Sequence, residues 1–185
     1  YTDMNGILCD VNETAIYCPL GIEGTVTVNV KAIADGAFKA RTKITKVVIP
    51  ATLQSVGASA FEGCSALKEV AFDGGAMSGS TVIGEKAFYR CSSLTGIELN
   101  ANLTSLGNQA FSGCSSLKEL VFPDTLTYIG DKLCYGAAAL ERITLGNAVK
   151  SIGNYAFSGC KLIKEIELPS TLESIGNYAF RGCTG

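Results

Sequence analysis

The sequence predicts a solenoid, a stack of short strand-rich coils, and two observations carry that prediction. The hexapeptide Ile-Gly-Asn-Tyr-Ala-Phe at residues 152–157 returns 23 residues later at residues 175–180. The same frame begins at five earlier positions, which are Ile33, Val56, Ile83, Leu106 and Ile129. The steps between starts are 23 residues, except for one of 27 between the second and third. A fixed period of this length is typical of solenoids, in which each unit buries its apolar face only against its neighbours.

Composition and charge limit the classes of protein to which this chain could belong. Hydrophobic residues make up 47% of the 185 residues, which is enough for a continuous core. The formal net charge is −2 and no long run of Lys or Arg occurs, so we expect no nucleic-acid partner and no anionic-membrane surface. No apolar run approaches the ~18 residues of a membrane span. The chain begins at Tyr1 without a leader, so we expect a removed targeting segment or a piece of a longer protein.

The N-terminal residues 1–31 lie outside the period and are predicted to form a cap. Two short apolar runs, residues 6–9 and 15–18, flank a polar turn, which is the pattern of a β-hairpin. Residues 25–30 alternate in polarity as a strand does. A solenoid needs its first coil covered, because an open sheet edge invites association. The repeat array then occupies residues 32–185 as six full coils and a truncated seventh.

Each coil is predicted to contain two walls. One is a strand of the form Leu67-x-x-Val70-x-Phe72, whose alternate residues point inward and outward. The other contains a second apolar pair, such as Leu103-x-x-Leu106. A glycine follows this pair in six coils, and we expect it to adopt a positive φ in a tight turn. These glycines are Gly57, Gly84, Gly107, Gly130, Gly153 and Gly176.

The core is predicted to contain a column of stacked phenylalanines. Ala-Phe follows the glycine position in six coils, but coil five has Leu133-Cys134 instead, which predicts an interrupted column and the weakest layer there. Five cysteines share one repeat position and are expected to be small buried hydrophobes, although a disulfide within that ladder stays open. A Cys9–Cys18 bridge is a further open alternative. Histidine is absent, so the common zinc patterns and Ser-His or Cys-His pairs are missing.

Two outward rows on the first wall are the candidate partner-binding site, which we call the sheet face. The first row is Lys46, Glu69, Gly96, Glu119, Arg142 and Glu165. The second row is Val48, Ala71, Glu98, Val121, Thr144 and Glu167. Six coils at ~4.8 Å make a face of about 25–30 Å, and its mixture of apolar and charged residues suits a protein partner.

Two other features compete with the sheet face for a functional role. The four-residue insertion of coil two lies within residues 73–81 and is either a binding loop or a plain solvated turn. Glu165 and Glu167 alternate on one strand as a glycosidase-like pair could, but repeated glutamates on a solvated strand usually serve solubility. We therefore expect no catalytic residues, no cofactor and no metal.

The frame Leu-x-x-Ile-x-Leu-Pro-x-x-Leu-x-x-Ile-Gly-x-x-Ala-Phe-x-x-Cys, clearest in residues 117–134 and 163–183, resembles the BspA-like, or Treponema pallidum-type, leucine-rich repeat. The resemblance implies a leucine-rich repeat solenoid of the α/β class, strand-rich, built as a right-handed superhelix with a parallel concave sheet. It also implies an exported protein, extracellular or on a bacterial surface, that acts as an adhesin.

The function expected from this resemblance is binding of an extracellular protein or glycan through the concave sheet. The alternative is a structural spacer or stalk that presents another domain. Because the last complete strand, at residues 163–168, is expected to be a bare edge, we also expect weak self-association through the C-terminal end.

Overall fold

In a computed structural model, which describes residues 6–73, 80–99 and 101–185, the 23-residue period becomes a stack of parallel strand layers. The first wall contains β3 (Gly24–Thr27), β5 (Ile44–Pro50), β7 (Glu69–Asp73), β9 (Gly96–Ile97), β11 (Glu119–Val121) and β13 (Arg142–Thr144). These form a four-stranded sheet, β3-β5-β7-β9, and a two-stranded sheet, β11-β13. Within the described ranges no residue is helical.

The opposite wall begins with an antiparallel pair and continues in parallel. Its strands are β1 (Leu8–Cys9), β2 (Thr14–Tyr17), β4 (Ala32–Ile33), β6 (Ser55–Val56), β8 (Thr81–Ile83), β10 (Leu103–Leu106), β12 (Tyr128–Ile129), β14 (Ser151–Ile152) and β15 (Ser174–Ile175). The sheet orders are β1-β2-β4-β6-β8-β10 and β12-β14-β15. The predicted strand-rich solenoid of about 23-residue coils with parallel sheets is therefore confirmed.

The N-terminal segment joins both walls. The strands β1 and β2 form the predicted hairpin, in which Leu8 pairs with Tyr17. The strand β2 then pairs in parallel with β4, and β3 pairs in parallel with β5. The ladder thus runs from the hairpin into the repeats without a break, while the domain boundary at residue 31 stays a prediction.

Arg41 holds this segment to the first coil, at the position that cysteine occupies in most coils. Its guanidinium group donates hydrogen bonds to the carbonyl oxygens of Cys18 and, at 2.6 Å, Lys39. The guanidinium carbon also lies 5.0 Å from the ring centroid of Tyr17. Since the side chain is buried, these contacts replace the water that a guanidinium group needs.

The core contains the phenylalanine column that the repeat predicts. Phe38, Phe61, Phe88 and Phe111 stack in sequence, with ring centroids 4.9, 5.2 and 5.6 Å apart. Coil five interrupts the column, as expected, because Leu133 and Cys134 stand there and both are fully buried. The column resumes at coil six, where Phe157 stacks on Phe180 with centroids 5.4 Å apart.

All eight cysteines are free thiols, so neither the ladder disulfide nor the Cys9–Cys18 bridge forms. Each ladder thiol instead donates a hydrogen bond to a carbonyl one coil earlier; Cys64 contacts the Phe38 oxygen at 3.0 Å and Cys114 the Phe88 oxygen at 3.2 Å. Burial raises the pKa of Cys64 and Cys114 to about 12. These neutral, hydrogen-bonded groups are poor nucleophiles, which agrees with a structural role.

The predicted positive φ is wrong for the glycine that follows the second apolar pair. Positive φ occurs instead two residues later, for example at Ser59 with φ 54° and Tyr155 with φ 55°. The glycine is needed because consecutive coils approach closely at that point. A Cβ on Gly84 would lie 2.7 Å from the Ala58 nitrogen, which is shorter than any real contact of this kind.

The C-terminal end of the solenoid is more open than the preceding coils. Ile152 in coil six is only 2% exposed, whereas its counterpart Ile175 is 47% exposed, and Leu168 is 48% exposed. The predicted self-association through this region stays a prediction. The coil-two insertion mostly falls on residues 74–79, which lie outside the described residues.

Candidate partner-binding surface

The sheet face brings most of its predicted residues into two aligned rows. The parallel register places Lys46 beside Glu69 and Glu69 beside Gly96, and it places Val48 beside Ala71. Further along, the register pairs Glu119 with Arg142 and Val121 with Thr144. Since equivalent residues of successive coils are neighbours in such a ladder, the sequence period translates directly into surface rows.

Three predicted residues lie outside the strands. Glu98 follows β9, which ends at Ile97. Glu165 and Glu167 are exposed but belong to residues 163–169, which form no strand. Among the described residues, no backbone hydrogen bond joins residues 163–168 to β13. The structure thus does not bring these two glutamates into the sheet.

The charges of the first row form ion pairs along the row. The Lys46 ammonium lies 2.8 Å from the Glu69 carboxylate, and the Arg142 guanidinium lies 2.7 Å from the Glu119 carboxylate. The hydrogen bond from Arg142, and then its charge, lower the pKa of Glu119. Glu119 therefore stays ionised even in mildly acidic solution. The row presents paired charges rather than one large field.

A hollow of about 850 Å³ lies between these two ion pairs. Gly96 is central to it, and a Cβ at this position would meet no atom within 4 Å. Carboxylates at Glu69, Glu98 and Glu119 surround the hollow. Apolar groups at Ala71, Phe72, Leu99 and Val121 complete its lining, and Val121 is 50% exposed. Lys68 also lines the hollow, so the arrangement offers an apolar base and a rim of three carboxylates and one ammonium group.

The described residues contain no group of three or more metal-ligating side chains close enough to hold a metal ion. The described residues also contain no helix of the length and apolar character that a membrane span requires. The sheet face presents ion pairs, carboxylates and apolar side chains to a partner.

Sequence reasoning missed the hollow and a second surface. The gap at Gly96 was visible as the only glycine in the first row, but its depth depends on the short strand β9 and on neighbouring side chains. The second surface carries Tyr89, Tyr135, Tyr155 and Tyr178 on the turns after the opposite wall. The signal for Tyr155 and Tyr178 was the repeated tyrosine of the Ile-Gly-Asn-Tyr-Ala-Phe frame, whereas Tyr89 and Tyr135 stand at a different repeat position, directly after the phenylalanine position.

Comparisons with known proteins agree with the geometry. The family model described as BspA type Leucine rich repeat region matches residues 31–136 and 81–185 in six copies. The crystal structure of the Treponema pallidum leucine-rich repeat protein is similar, with a TM-score of 0.81 and 30% identity over 92% of this chain and 80% of that one. Among curated proteins, none matches the chain.

Two further crystal structures cover nearly the whole chain. A leucine-rich cell surface protein from Faecalibacterium prausnitzii gives a TM-score of 0.86 and 28% identity over 99% of this chain. A leucine-rich repeat protein from Bacteroides ovatus gives 0.78 and 30% over 98% of this chain. The present chain spans 52% and 48% of these two proteins, about half the length of each.

Proposed function

Because the chain belongs to the BspA-type leucine-rich repeat family, we propose that it is a cell-surface or secreted binding module that engages an extracellular protein, in the manner of an adhesin. The family is one of protein-interaction scaffolds, and one structurally similar relative is described as a cell surface protein. The proposal places the contact on the sheet face.

The single observation that carries this proposal is the 850 Å³ hollow around Gly96. Protein interfaces are organised around a desolvated centre with a polar rim, and most of the binding energy comes from side chains that fill pockets in that centre. The hollow supplies such a centre through Ala71 and Val121. The ion pairs on either side supply a rim whose charges are already fixed in position.

The mainly anionic rim indicates the chemistry of the partner. Glu69 and Glu119 are each shared with a cation of the same row, but Glu98 makes no ion pair with any described residue. An apolar or aromatic side chain next to Lys or Arg therefore fits best, with the apolar group in the hollow and the cation on Glu98. Such a segment matches the observed surface in both shape and charge.

The test fills the hollow without disturbing the fold. Gly96→Trp places an indole in the open space above the strand, so we expect it to abolish binding to any protein that uses the hollow. Ser105→Trp is the matched control, because Ser105 is an exposed residue of β10 on the opposite wall. Both variants and the unmodified chain are titrated against a panel of purified extracellular matrix proteins.

Saturable binding that Gly96→Trp removes and Ser105→Trp retains would support the sheet face. A partner bound equally by all three proteins would move the contact elsewhere on the molecule. No binding in the whole panel would leave the structural spacer as the better explanation. A Glu98→Lys variant then tests the charge argument, since it should weaken binding of a basic partner while leaving the hollow open.

A further inference from the structure

A second surface lies on the turns that follow the opposite wall, and it differs in chemistry from the sheet face. We call it the aromatic turn face, and its members are Tyr89, Arg90, Lys132, Tyr135, Tyr155, Tyr178 and Arg181. We propose that this face binds an anionic glycan chain, with the chain in the furrows between the tyrosine rings and the cations on sulfate or carboxylate groups. The inference does not depend on the function proposed for the sheet face.

The side chains of this face are stacked by the repeat. Tyr155 and Tyr178 occupy the same position in consecutive coils, and their ring centroids are 5.1 Å apart. Cations lie over these rings, since the Lys132 ammonium is 5.9 Å from the Tyr155 centroid and the Arg181 guanidinium is 5.6 Å from that of Tyr178. Flat rings beside cations are thus a repeated arrangement rather than a single contact.

Two hollows separate the rings. One, of about 380 Å³, is lined by Tyr89, Lys132, Tyr135 and Tyr155 with Gln109 and Ser112. It forms because Ser112 stands between Tyr89 and Tyr135 in neighbouring coils, so a small residue lies between two large ones. The second, of about 560 Å³, is lined by Tyr135, Tyr155, Lys161 and Arg181, with glycines between them. Both are open furrows that a chain could follow across coils.

The charge of this face is opposite to that of the whole chain. The turn segments of coils three to seven, residues 84–93, 107–116, 130–139, 153–162 and 176–185, contain five cations and two carboxylates, although the chain as a whole carries −2. Both carboxylates are engaged. Glu85 pairs with Lys86 at 3.1 Å, and Asp131 accepts hydrogen bonds from the Asn154 nitrogen and the Tyr128 hydroxyl. The face therefore attracts anions.

The backbone of the turns holds several residues of this face in a left-handed conformation. Tyr155 and Tyr178 have φ values of 55° and 57°, a conformation that is a marked outlier for a bulky residue. Coil one has glycine at this position, Gly36, so the fold accepts the unstrained residue. Arg90, at φ 58°, likewise stands where five other coils have glycine. Ser59, Lys86, Gln109 and Lys132 share the positive φ at the position of Tyr155 and Tyr178, so this conformation is a property of the turn in every coil.

The polar character of the face favours a glycan over an acidic protein. The hydroxyl groups of Tyr89, Tyr135, Tyr155 and Tyr178 make no hydrogen bond in the described part of the chain. A sugar ring presents C–H groups on its face and hydroxyl groups around its edge, so it matches a tyrosine ring flanked by Gln109, Ser112 and free phenols. Tyrosine and arginine are also enriched at protein interfaces, so the experiment includes poly-glutamate as the competing acidic polypeptide.

The experiment measures binding of a heparin-derived oligosaccharide and of an oligogalacturonate by calorimetry. The first probe carries sulfate and the second carboxylate, so the two arms identify the anionic group. The variant Y135S/Y155S gives residue 135 the serine of both neighbouring coils and residue 155 the serine that coil two has at Ser59. We expect its Kd to rise about tenfold or more. K132Q/R181Q should also weaken binding about tenfold and reduce its dependence on salt. K46Q/R142Q removes the same charge from the other wall, in β5 and β13, and should change Kd less than about twofold.

Two further probes make the outcome decisive. Dextran, a neutral glycan, should not bind, and Gly96→Trp should retain heparin binding, which separates this surface from the sheet face. Absence of binding to both anionic glycans would overturn the proposal. Equal binding of poly-glutamate with no effect of Y135S/Y155S would also overturn it, because charge alone would then explain the result. Circular dichroism of each variant confirms that the fold is intact.

Discussion

Coil five fills its core differently from the four coils before it. In coils one to four, each layer contributes one phenylalanine to a continuous stack, with ring centroids 4.9–5.6 Å apart. In coil five the stack is broken, and Phe122 reaches across from the strand region of coil four. Its ring meets Phe157 of coil six edge-on, at 6.4 Å and an interplanar angle of 64°.

The difference shows that neighbouring layers share core volume. Phe122 is 2% exposed, and Leu133 and Cys134 are completely buried, so the broken column leaves no opening to solvent. Coil five was predicted to be the weakest layer because the local motif changes there. The structure indicates that residues from adjacent coils compensate, since interiors are close-packed and a local change of shape can be balanced nearby.

Removing one ring from the intact column should have the largest effect. Phe88→Ala takes a fully enclosed ring from between Phe61 and Phe111, and we expect a loss of about 3–5 kcal/mol in the free energy of unfolding. Urea titration measures the change. Phe180→Ala is the matched control, because Phe180 stacks on one ring only and lies in the more open last coil.

We expect the control to cost less than half as much as the variant in the column. Equal losses would mean that stacking on two sides adds nothing to burial. In that case the intact column would have no energetic advantage over coil five.

The column also depends on the spacing between coils, which the close-approach glycines set. Gly84→Ala would force a methyl group to within 2.7 Å of the Ala58 backbone nitrogen, so we expect a loss of about 3 kcal/mol through separation of the layers. Gly136→Ala has open space but a φ of 74°, so it should cost about 1 kcal/mol through backbone strain alone. A reversed order of these two losses, measured by thermal unfolding, would contradict the close-approach explanation.

The glycine position shows how far the sequence predicts the fold. The period, the inward residues and the phenylalanine column followed from spacing, because every coil repeats the same pattern. The reason why glycine is required did not follow from spacing, since Gly84 approaches Ala58, which lies in a different coil. A sequence pattern shows that a glycine is required at a position. It does not show whether a positive φ or the close approach of another coil is the reason.

The candidate site was predictable in outline only. The two rows of the sheet face followed from the period, and the register aligns the residues of β5 with β7 and of β11 with β13, while their role in binding stays a prediction. The hollow at Gly96 did not follow, because it depends on an absent side chain next to a short strand. The ion pairs along the first row also required the register, since Lys46 and Glu69 are 23 residues apart in sequence.

Restoring the column in coil five tests the compensation directly. Cys134→Phe alone should cost about 1–3 kcal/mol by overpacking, and Leu133→Ala alone about 2–4 kcal/mol by leaving a cavity. The double variant recreates the Ala-Phe pair of the other coils. Because neighbouring residues couple energetically, we expect its loss in the free energy of unfolding to be at least ~1 kcal/mol smaller than the sum of the losses of the two single variants. If the two losses were additive, Phe122 would not move to make room for a phenylalanine at position 134.

The thiols on either side of coil five give the smallest and most specific test. Burial raises the pKa of both Cys114 and Cys160 from an ordinary value of 9.0 to about 12. The folded protein therefore holds the thiol proton while the unfolded chain releases it, so this contribution to stability is fully present well below pH 9 and is lost as the pH rises through 9 towards 12. At pH 9 each thiol should lower the free energy of unfolding by about 0.4 kcal/mol relative to acidic solution.

Cys114→Ala and Cys160→Ala should each flatten the decline in stability between pH 8 and pH 9 by about this 0.4 kcal/mol, and by the same amount as each other. The measurement is a set of urea titrations of both variants and the unmodified chain at the two pH values. If coil five were loosely packed, water would reach Cys160, whose Sγ donates to the Cys134 carbonyl at 3.2 Å. Cys160→Ala would then change the pH dependence of the free energy of unfolding less than Cys114→Ala does. Equal slopes would show that the core on both sides of the broken column is equally dry.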